Sequence, residues 1–180
     1  MIFSPLCVEA MRLENLTRNI HPLMLDRSTD CEIEGIAYDS RNVRSGFLFV
    51  ALPGQRRDGR DFVADAIERG AVAVMSEQNE APCRNVAFIR VEDARRALAE
   101  VSCAFYGEPS RKLFMVGVTG TNGKSTVSFM VRDMLKEAGW SPGLIGTIRY
   151  EIGERSIPAG RTTPEAPDLQ GMLEIGRAHV

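Results

Sequence analysis

The first part of the chain alternates short apolar runs with segments of helical periodicity. Apolar and β-branched runs bounded by Gly, Pro, Asp or Ser are typical of strands. Such runs cover residues 33–38, 47–52, 71–75 and 86–91. Since helical segments separate several of these runs, the pattern predicts an α/β domain of about the smallest usual size.

Two helices are predicted in this domain. The first covers 62–69, with Asp61 as its N-cap and Gly70 as its stop. The second covers 93–106, and its apolar positions recur at helical spacing. These positions are Ala97, Leu98, Val101 and Phe105. The Gly- and Pro-containing segment 107–111 then has the composition of a linker.

We therefore place one domain over 1–110 and the start of a second over 111–180. The elements predicted in the second are a strand over 113–118, a helix over 125–138 that ends at Gly139, a strand over 144–148 and a hairpin turn at Gly153 and Glu154. A parallel-sheet nucleotide domain needs more strands than these. We expect the second domain to be truncated. The last residues, 174–180, resemble a translated sequencing adapter, and we expect them to be non-native.

Composition excludes several classes of protein. The 180 residues are 44% hydrophobic and 26% charged, with a formal charge of −2, which is ordinary for a globular protein without general attraction to nucleic acid. The four cysteines show no C-x-x-C spacing, which argues against a metal site or a disulfide framework. No apolar run approaches the roughly 20 residues of a membrane span. We expect a cytoplasmic monomer that binds small molecules, without nucleic-acid or membrane partners.

The sequence V-T-G-T-N-G-K-S-T at 118–126 follows a predicted strand and precedes a predicted helix, as a phosphate-binding loop does. Gly120 and Gly123 permit turns closed to residues with a Cβ, so that N–H groups converge on phosphate oxygens. Lys124 would reach the β and γ phosphates of a nucleoside triphosphate. Val118 stands where the usual spacing of this motif has glycine. The alternative to a phosphate-binding loop is a glycine-rich strand-to-helix turn with an exposed lysine.

A hydroxyl directly after the lysine suits Mg²⁺. We assign Lys124 as the catalytic residue and Ser125 as the metal ligand, with Thr126 as the other hydroxyl. The residues assigned to ATP are Thr119, Gly120, Thr121, Asn122, Gly123, Lys124, Ser125 and Thr126.

The loop at 119–126 resembles the nucleotide loop of the Mur ligases and their folylpolyglutamate synthetase relatives. In that family the departure from glycine at the position of Val118 is normal. Further segments are similar to the tripeptide-forming, MurE-type members of that family, and the similarity runs from about residue 11 to residue 173. These segments are D-S-R at 39–41, G-x-L-F-V-A at 46–51, the loop 54–60 and T-T-P-E-A-P-D at 162–168. Arg161 departs from the apolar or amide residue expected before the threonine pair.

The resemblance implies an ATP- and Mg²⁺-dependent ligase of peptidoglycan synthesis. Such a ligase joins meso-diaminopimelate or L-lysine to UDP-N-acetylmuramoyl-L-alanyl-D-glutamate through an acyl phosphate. We expect the 180-residue piece to be inactive alone. The alternatives are the D-Ala-D-Ala-adding ligase or another member of the superfamily, and a non-catalytic nucleotide- or UDP-sugar-binding module.

The resemblance also implies residues that hold the UDP-sugar. In the first domain these are Tyr38, Ser40, Gln55, Arg56 and Arg57, and in the second they are Thr162 and Thr163. Arginines beside flexible glycines can bind a diphosphate bidentately. Without the resemblance, a solvated arginine loop is the simpler interpretation, and Thr162 with Glu165 could equally form a helix capping box. Asp39 and Arg41 can simply pair, and we leave them outside the site.

Overall fold

The computed structural model describes residues 9–18, 20–26, 31–54, 58–79 and 86–177. The chain divides into two compact units, one ending at Phe105 and the other beginning at Tyr106. The sequence places this boundary after residue 110 instead. The difference arises because Tyr106 is half-buried and its ring lies against Gly171, so the supposed linker already packs on the second unit.

Secondary structure in the first unit follows the predicted alternation. Its helices are α1 (Leu13–Leu16), α2 (Val63–Glu68) and α3 (Ala94–Phe105). Its strands are β1 (Met11–Arg12), β2 (Met24–Asp26), β3 (Glu32–Ile33), β4 (Gly35–Ala37), β5 (Phe47–Val50), β6 (Ala71–Ser76) and β7 (Ala87–Arg90).

The main sheet has the order β2-β7-β6-β5-β4. Strands β4 to β7 pair in parallel, and β2 joins β7 antiparallel at one edge. Leu48, Phe49 and Phe88 are among the largest fully buried side chains, as expected of a parallel sheet covered on both faces. All four apolar positions predicted for the second helix are buried on α3. The α/β class is thereby confirmed.

Two local predictions for this unit are wrong. The strand expected over 33–38 is interrupted at Glu34, whose N–H binds the Gly46 carbonyl, so that β3 pairs with β1 outside the main sheet. Asp61 does not cap α2. Instead a 3-10 helix, Gly59–Phe62, leads into α2. The Asp58 carboxylate caps this 3-10 helix by accepting a hydrogen bond from the Arg60 N–H.

The second unit contains a three-stranded antiparallel sheet and two long helices. Its helices are α4 (Lys124–Glu137) and α5 (Ala166–Arg177), and its strands are β8 (Leu144–Ile145), β9 (Arg149–Ile152) and β10 (Arg155–Pro158). The predicted hairpin is confirmed by the pairing of β9 with β10 around Gly153, where φ is 56°. Gly139 follows α4 with φ 84°, which confirms it as the stop of that helix.

The strand predicted over 113–118 is not formed. Phe114 is 86% exposed, and Met115 and Val116 are about half exposed. Within the described part of the chain no strand pairs with this segment, and an extended segment without ladder partners gains no sheet hydrogen bonds. The side chains of Phe114, Met115 and Val116 therefore remain largely in water. Among the described residues no helix is both long and apolar enough to cross a membrane.

The buried sheet predicts a large difference between two leucines of the first unit. Leu48 is fully buried on β5, whereas Leu23 is 56% exposed beside β2. Leu48→Ala should lower the free energy of unfolding by about 2–5 kcal/mol, since it leaves a cavity in the core. Leu23→Ala should change it by only about 0.5 kcal/mol. Urea unfolding followed by circular dichroism measures both, and equal losses would contradict the assigned core.

Candidate nucleotide and substrate sites

The loop before α4 has the backbone expected of a phosphate-binding turn. Gly120 has φ 147° and Gly123, the N-cap residue of α4, has φ 76°. Among the described residues, apart from its chain neighbours, no atom lies within 4 Å of a Cβ built on Gly123, so its conformation and not crowding favours glycine there. No described side chain caps the start of α4. The N–H groups of its first turn are thus available for an anionic ligand.

Lys124 points back over this loop. Its Nζ donates to the Gly120 carbonyl at 2.7 Å, and the Thr121 carbonyl is 3.5 Å away. The ammonium group is therefore held beside the loop N–H groups, which concentrates positive charge there. This arrangement fits a polyphosphate such as that of ATP.

The remaining residues assigned to ATP surround the same turn. Thr119, Thr121, Asn122 and Thr126 are exposed, whereas Ser125 is half-buried in the first turn of α4. No group of three or more His, Cys, Asp or Glu within the described ranges could hold a metal ion. Ser125 would supply one hydroxyl to Mg²⁺, as is usual where phosphate oxygens and water complete the coordination. Its assignment stays a prediction.

Helix α4 is fixed to β9 by a cluster of charges. Arg132 Nη1 donates to both carboxylate oxygens of Glu151, at 2.6 and 2.7 Å. Arg149 Nε donates to Glu151 Oε1 at 2.5 Å. Both guanidinium groups lie 4.8 Å from the ring centroid of Phe129. The side chains of Arg132 and Glu151 are each only 12% exposed, so water screens this pair little.

The environment of Glu151 favours its charged form. Burial alone raises the pKa of this carboxyl, but the hydrogen bonds and charges of Arg132 and Arg149 outweigh burial and hold the pKa below its usual value. The carboxylate is therefore ionised at neutral pH, and the two arginines stay paired.

The threonine pair follows the β9–β10 hairpin. Thr162 and Thr163 are exposed, whereas the next residue, Pro164, is buried. The capping box suggested for Thr162 is not formed, because α5 begins only at Ala166. Pro167 lies in the first turn of α5, where a missing N–H costs nothing. The two threonine hydroxyls are thus left available for a ligand.

In the first unit the candidate residues lie at the carboxyl ends of parallel strands. Tyr38 and Ser40 follow β4, and the loop that starts at Ala51 follows its parallel neighbour β5. Ligands of open α/β sheets bind at such an edge. Ser40 is only 4% exposed, and its hydroxyl donates to the Asp65 carboxylate, which lowers the pKa of Asp65. A free lone pair of the Ser40 oxygen can still accept from a ligand.

The loop after β5 closes on itself. The Gly59 N–H donates to the Leu52 carbonyl at 2.9 Å, and a Cβ on Gly59 would lie 2.7 Å from Leu52 backbone atoms. Only glycine fits this approach. The loop so closed carries Gln55, Arg56 and Arg57, which lie outside the described residues. Their assignment to the substrate stays a prediction.

Asp39 and Arg41 form the pair that the sequence suggests. Arg41 Nη2 lies 2.6 Å from Asp39 Oδ2, and the same carboxylate accepts from the Arg41 N–H. Because this pair completes the 3-10 helix Ser40–Asn42, the two side chains have a structural role.

Two family models match the chain. The Mur ligase family, catalytic domain, matches residues 32–106, and the Mur ligase middle domain matches residues 118–179. A curated relative from Geobacter sulfurreducens, named UDP-N-acetylmuramoyl-L-alanyl-D-glutamate–2,6-diaminopimelate ligase, is 46% identical over 91% of this chain and 32% of its own length. The chain spans about a third of the length of the curated relatives it matches.

Two solved ligase structures are similar in fold to this chain. The UDP-N-acetylmuramoylalanyl-D-glutamyl-2,6-diaminopimelate–D-alanyl-D-alanyl ligase of Acinetobacter baumannii has a TM-score of 0.64 and 25% identity, covering 98% of this chain and 36% of that one. The MurF ligase of Thermotoga maritima in complex with ADP has a TM-score of 0.51 and 26% identity, covering 77% and 28%.

The charge cluster at Glu151 predicts a pH-dependent stability. A carboxyl whose pKa is lower in the folded than in the unfolded state stabilises the fold above the unfolded pKa of about 4.3, and this contribution is lost as the pH falls. Glu151→Gln should therefore destabilise the protein by about 1–3 kcal/mol at pH ~7 and by less at pH ~3. Thermal unfolding across this range measures the difference.

Glu154→Gln is the matched control, since Glu154 is exposed in the turn of the same hairpin. It should leave the unfolding temperature close to that of the wild type at every pH. A difference between wild type and Glu151→Gln that does not change with pH would contradict the ionised cluster.

Proposed function

We propose that this chain, which belongs to the Mur ligase family, supplies the nucleotide-binding and UDP-sugar-binding parts of an ATP-dependent ligase. The ligase adds an amino acid to UDP-N-acetylmuramoyl-L-alanyl-D-glutamate in peptidoglycan synthesis. We take 2,6-diaminopimelate as that amino acid, because the curated relatives at 38–46% identity carry it in their names.

The observation that carries this proposal is the loop before α4. It combines two left-handed glycines, an uncapped helix start and a lysine folded back onto the Gly120 carbonyl. A loop of this form suits the phosphates of ATP. The ADP complex of the Thermotoga maritima ligase supports the nucleotide for this chain.

ATP supplies the phosphoryl group that converts the substrate carboxylate into an acyl phosphate and leaves as ADP. The amine of the incoming amino acid then attacks the acyl carbon, and inorganic phosphate leaves as the amide bond forms. Lys124 offsets negative charge on the transferring group, and the first-turn N–H groups orient the phosphate chain. Both groups are in place before the reaction, since the loop carbonyls hold Lys124 and Gly123 sets the helix start. Ser125 is the residue that would hold Mg²⁺.

We assign the substrate residues of each unit separately. Tyr38 and Ser40 at the end of β4, together with the loop after β5, are assigned to the uridine diphosphate end. The exposed hydroxyls of Thr162 and Thr163 are assigned to the muramoyl-peptide end. On this assignment, 1–110 is the UDP-sugar domain and 111–180 belongs to the ATP-binding domain.

A D-alanyl-D-alanine-adding ligase is the second candidate. The solved structure from Acinetobacter baumannii favours it, since that protein is named for this activity and its fold covers 98% of this chain. Its identity of 25% is well below the 46% of the diaminopimelate-adding relative. Sequence similarity therefore favours diaminopimelate addition.

The test of the proposal compares two lysines of α4 in the complete gene product. Lys124→Ala should lower substrate-dependent phosphate release about 10²–10³-fold or more, since it removes a charge that acts on the transferring phosphoryl group. Its affinity for UDP-N-acetylmuramoyl-L-alanyl-D-glutamate should stay close to that of the wild type. Phosphate release and equilibrium binding of the UDP-sugar measure the two effects separately.

Lys136→Ala is the control, because Lys136 lies near the other end of α4 and is 54% exposed. It should retain phosphate release close to that of the wild type. Undiminished turnover in Lys124→Ala would refute the loop assignment, and loss of UDP-sugar binding in that variant would refute the separation of the two sites.

A further inference from the structure

The hydroxyl of Tyr150 makes two hydrogen bonds with a single residue. It donates to the Arg161 carbonyl at 2.6 Å and accepts from the Arg161 N–H at 3.1 Å. Tyr150 itself is 2% exposed on β9, so the phenol is held rigidly. One buried hydroxyl thereby fixes both polar backbone groups of the residue immediately before Thr162.

The residues around this contact differ sharply in exposure. Thr162 and Thr163 are exposed, whereas Tyr150 before them in the chain and Pro164 after them are buried. The two exposed threonines thus follow a backbone segment that is hydrogen-bonded to a buried side chain. Such an arrangement is typical of a preorganised ligand contact.

Other contacts of this loop restrain it less near the threonines. The Ala159 N–H donates to the Ile148 carbonyl at 3.1 Å, which closes the end of the hairpin. Arg161 also pairs with Glu165 at 3.2 Å, but its side chain is 56% exposed, and such surface pairs contribute little. The bonds to Tyr150, by contrast, act directly on the peptide groups next to Thr162.

Glu151, the next residue after Tyr150, connects the same strand to α4, the helix that follows the nucleotide loop. Because side chains alternate along a strand, Glu151 lies on the opposite face of β9 and pairs with Arg132 of α4. Ile152 returns to the face of Tyr150 and lies near Gly176 of α5. Strand β9 thus fixes the helix that begins with Lys124 on one face and the threonine loop on the other.

We propose that Tyr150 is a positioning residue for the UDP-sugar substrate, acting through the backbone of Arg161 on Thr162 and Thr163. This inference rests on the proposed function, because it assigns the threonine pair to that substrate. Tyr150 does not touch the substrate itself. Its hydroxyl affects the affinity for the UDP-sugar by fixing the backbone next to the two threonines.

Tyr150→Phe in the complete gene product removes only the hydroxyl. We expect the KM for UDP-N-acetylmuramoyl-L-alanyl-D-glutamate to rise about tenfold, while the KM for ATP stays close to that of the wild type. Hydrogen exchange at the Arg161 amide should accelerate without a comparable change elsewhere in the second unit. Tyr106→Phe is the matched control, since Tyr106 is a half-buried tyrosine of the same unit that lies against Gly171.

A double-mutant cycle separates positioning from general stabilisation. In a Thr162→Val, Thr163→Val background, Tyr150→Phe should raise the KM for the UDP-sugar little further, because the groups it positions are already lost. Additive effects would overturn the proposal. So would equal increases of both KM values, or a Tyr150→Phe variant that fails to fold, since each indicates a purely structural role.

The wild-type control distinguishes failure of this inference from failure of the proposed function. Wild-type phosphate release that depends on the UDP-sugar, together with an unchanged KM in Tyr150→Phe, overturns the positioning role alone. A folded wild type that releases no phosphate with the UDP-sugar and either amino acid overturns both.

Discussion

The ion pair between Glu151 and Arg132 is the interaction on which the position of helix α4 against the sheet of the second unit depends. Helix α4 has no fully buried residue, so apolar packing alone does not fix its orientation. The pair joins it to β9 through two hydrogen bonds with 12% of each side chain exposed. Removing one partner would leave the charge of the other unpaired where water screens it little, which is strongly destabilising. The pair thereby positions the helix that begins with Lys124, whose ammonium group is held by the loop carbonyls.

The first unit positions its candidate residues by a different constraint. Parallel pairing of β4 with β5 brings the segments that follow them to one edge of the sheet. Tyr38 and Ser40 come from one of these segments, and the closed loop ending at Gly59 comes from the other. The fold thus brings together two stretches that are separated in sequence. A diphosphate-binding edge is a common use of such a sheet.

Features that depend on local periodicity could be predicted from the sequence. The apolar stripe of α3, the start of α4 and the hairpin turn at Gly153 each follow from neighbouring residues. The strand over 113–118 could not be judged in this way, since a strand forms only where a partner is hydrogen-bonded to it. The apolar run shows that the segment is able to form a strand. It does not show whether a partner strand lies beside it.

The part of the site that sequence reasoning missed consists of tertiary contacts. Tyr150 carries no motif, and its role is visible only because the chain after β10 returns its Arg161 backbone to the phenol. A signal was nevertheless present, since an aromatic residue with a hydroxyl at a buried strand position requires a hydrogen-bond partner. Glu151 likewise looks like a solvated hairpin residue until Arg132, 19 positions away, is placed beside it.

The most direct test of the account is phosphate release from ATP by the complete gene product, with UDP-N-acetylmuramoyl-L-alanyl-D-glutamate present and 2,6-diaminopimelate or L-lysine supplied in parallel. We predict release that requires the UDP-sugar and is supported by diaminopimelate, with the tripeptide product formed in equal amount. A folded protein that binds ATP but releases no phosphate with either amino acid would contradict it and indicate a non-catalytic nucleotide-binding module.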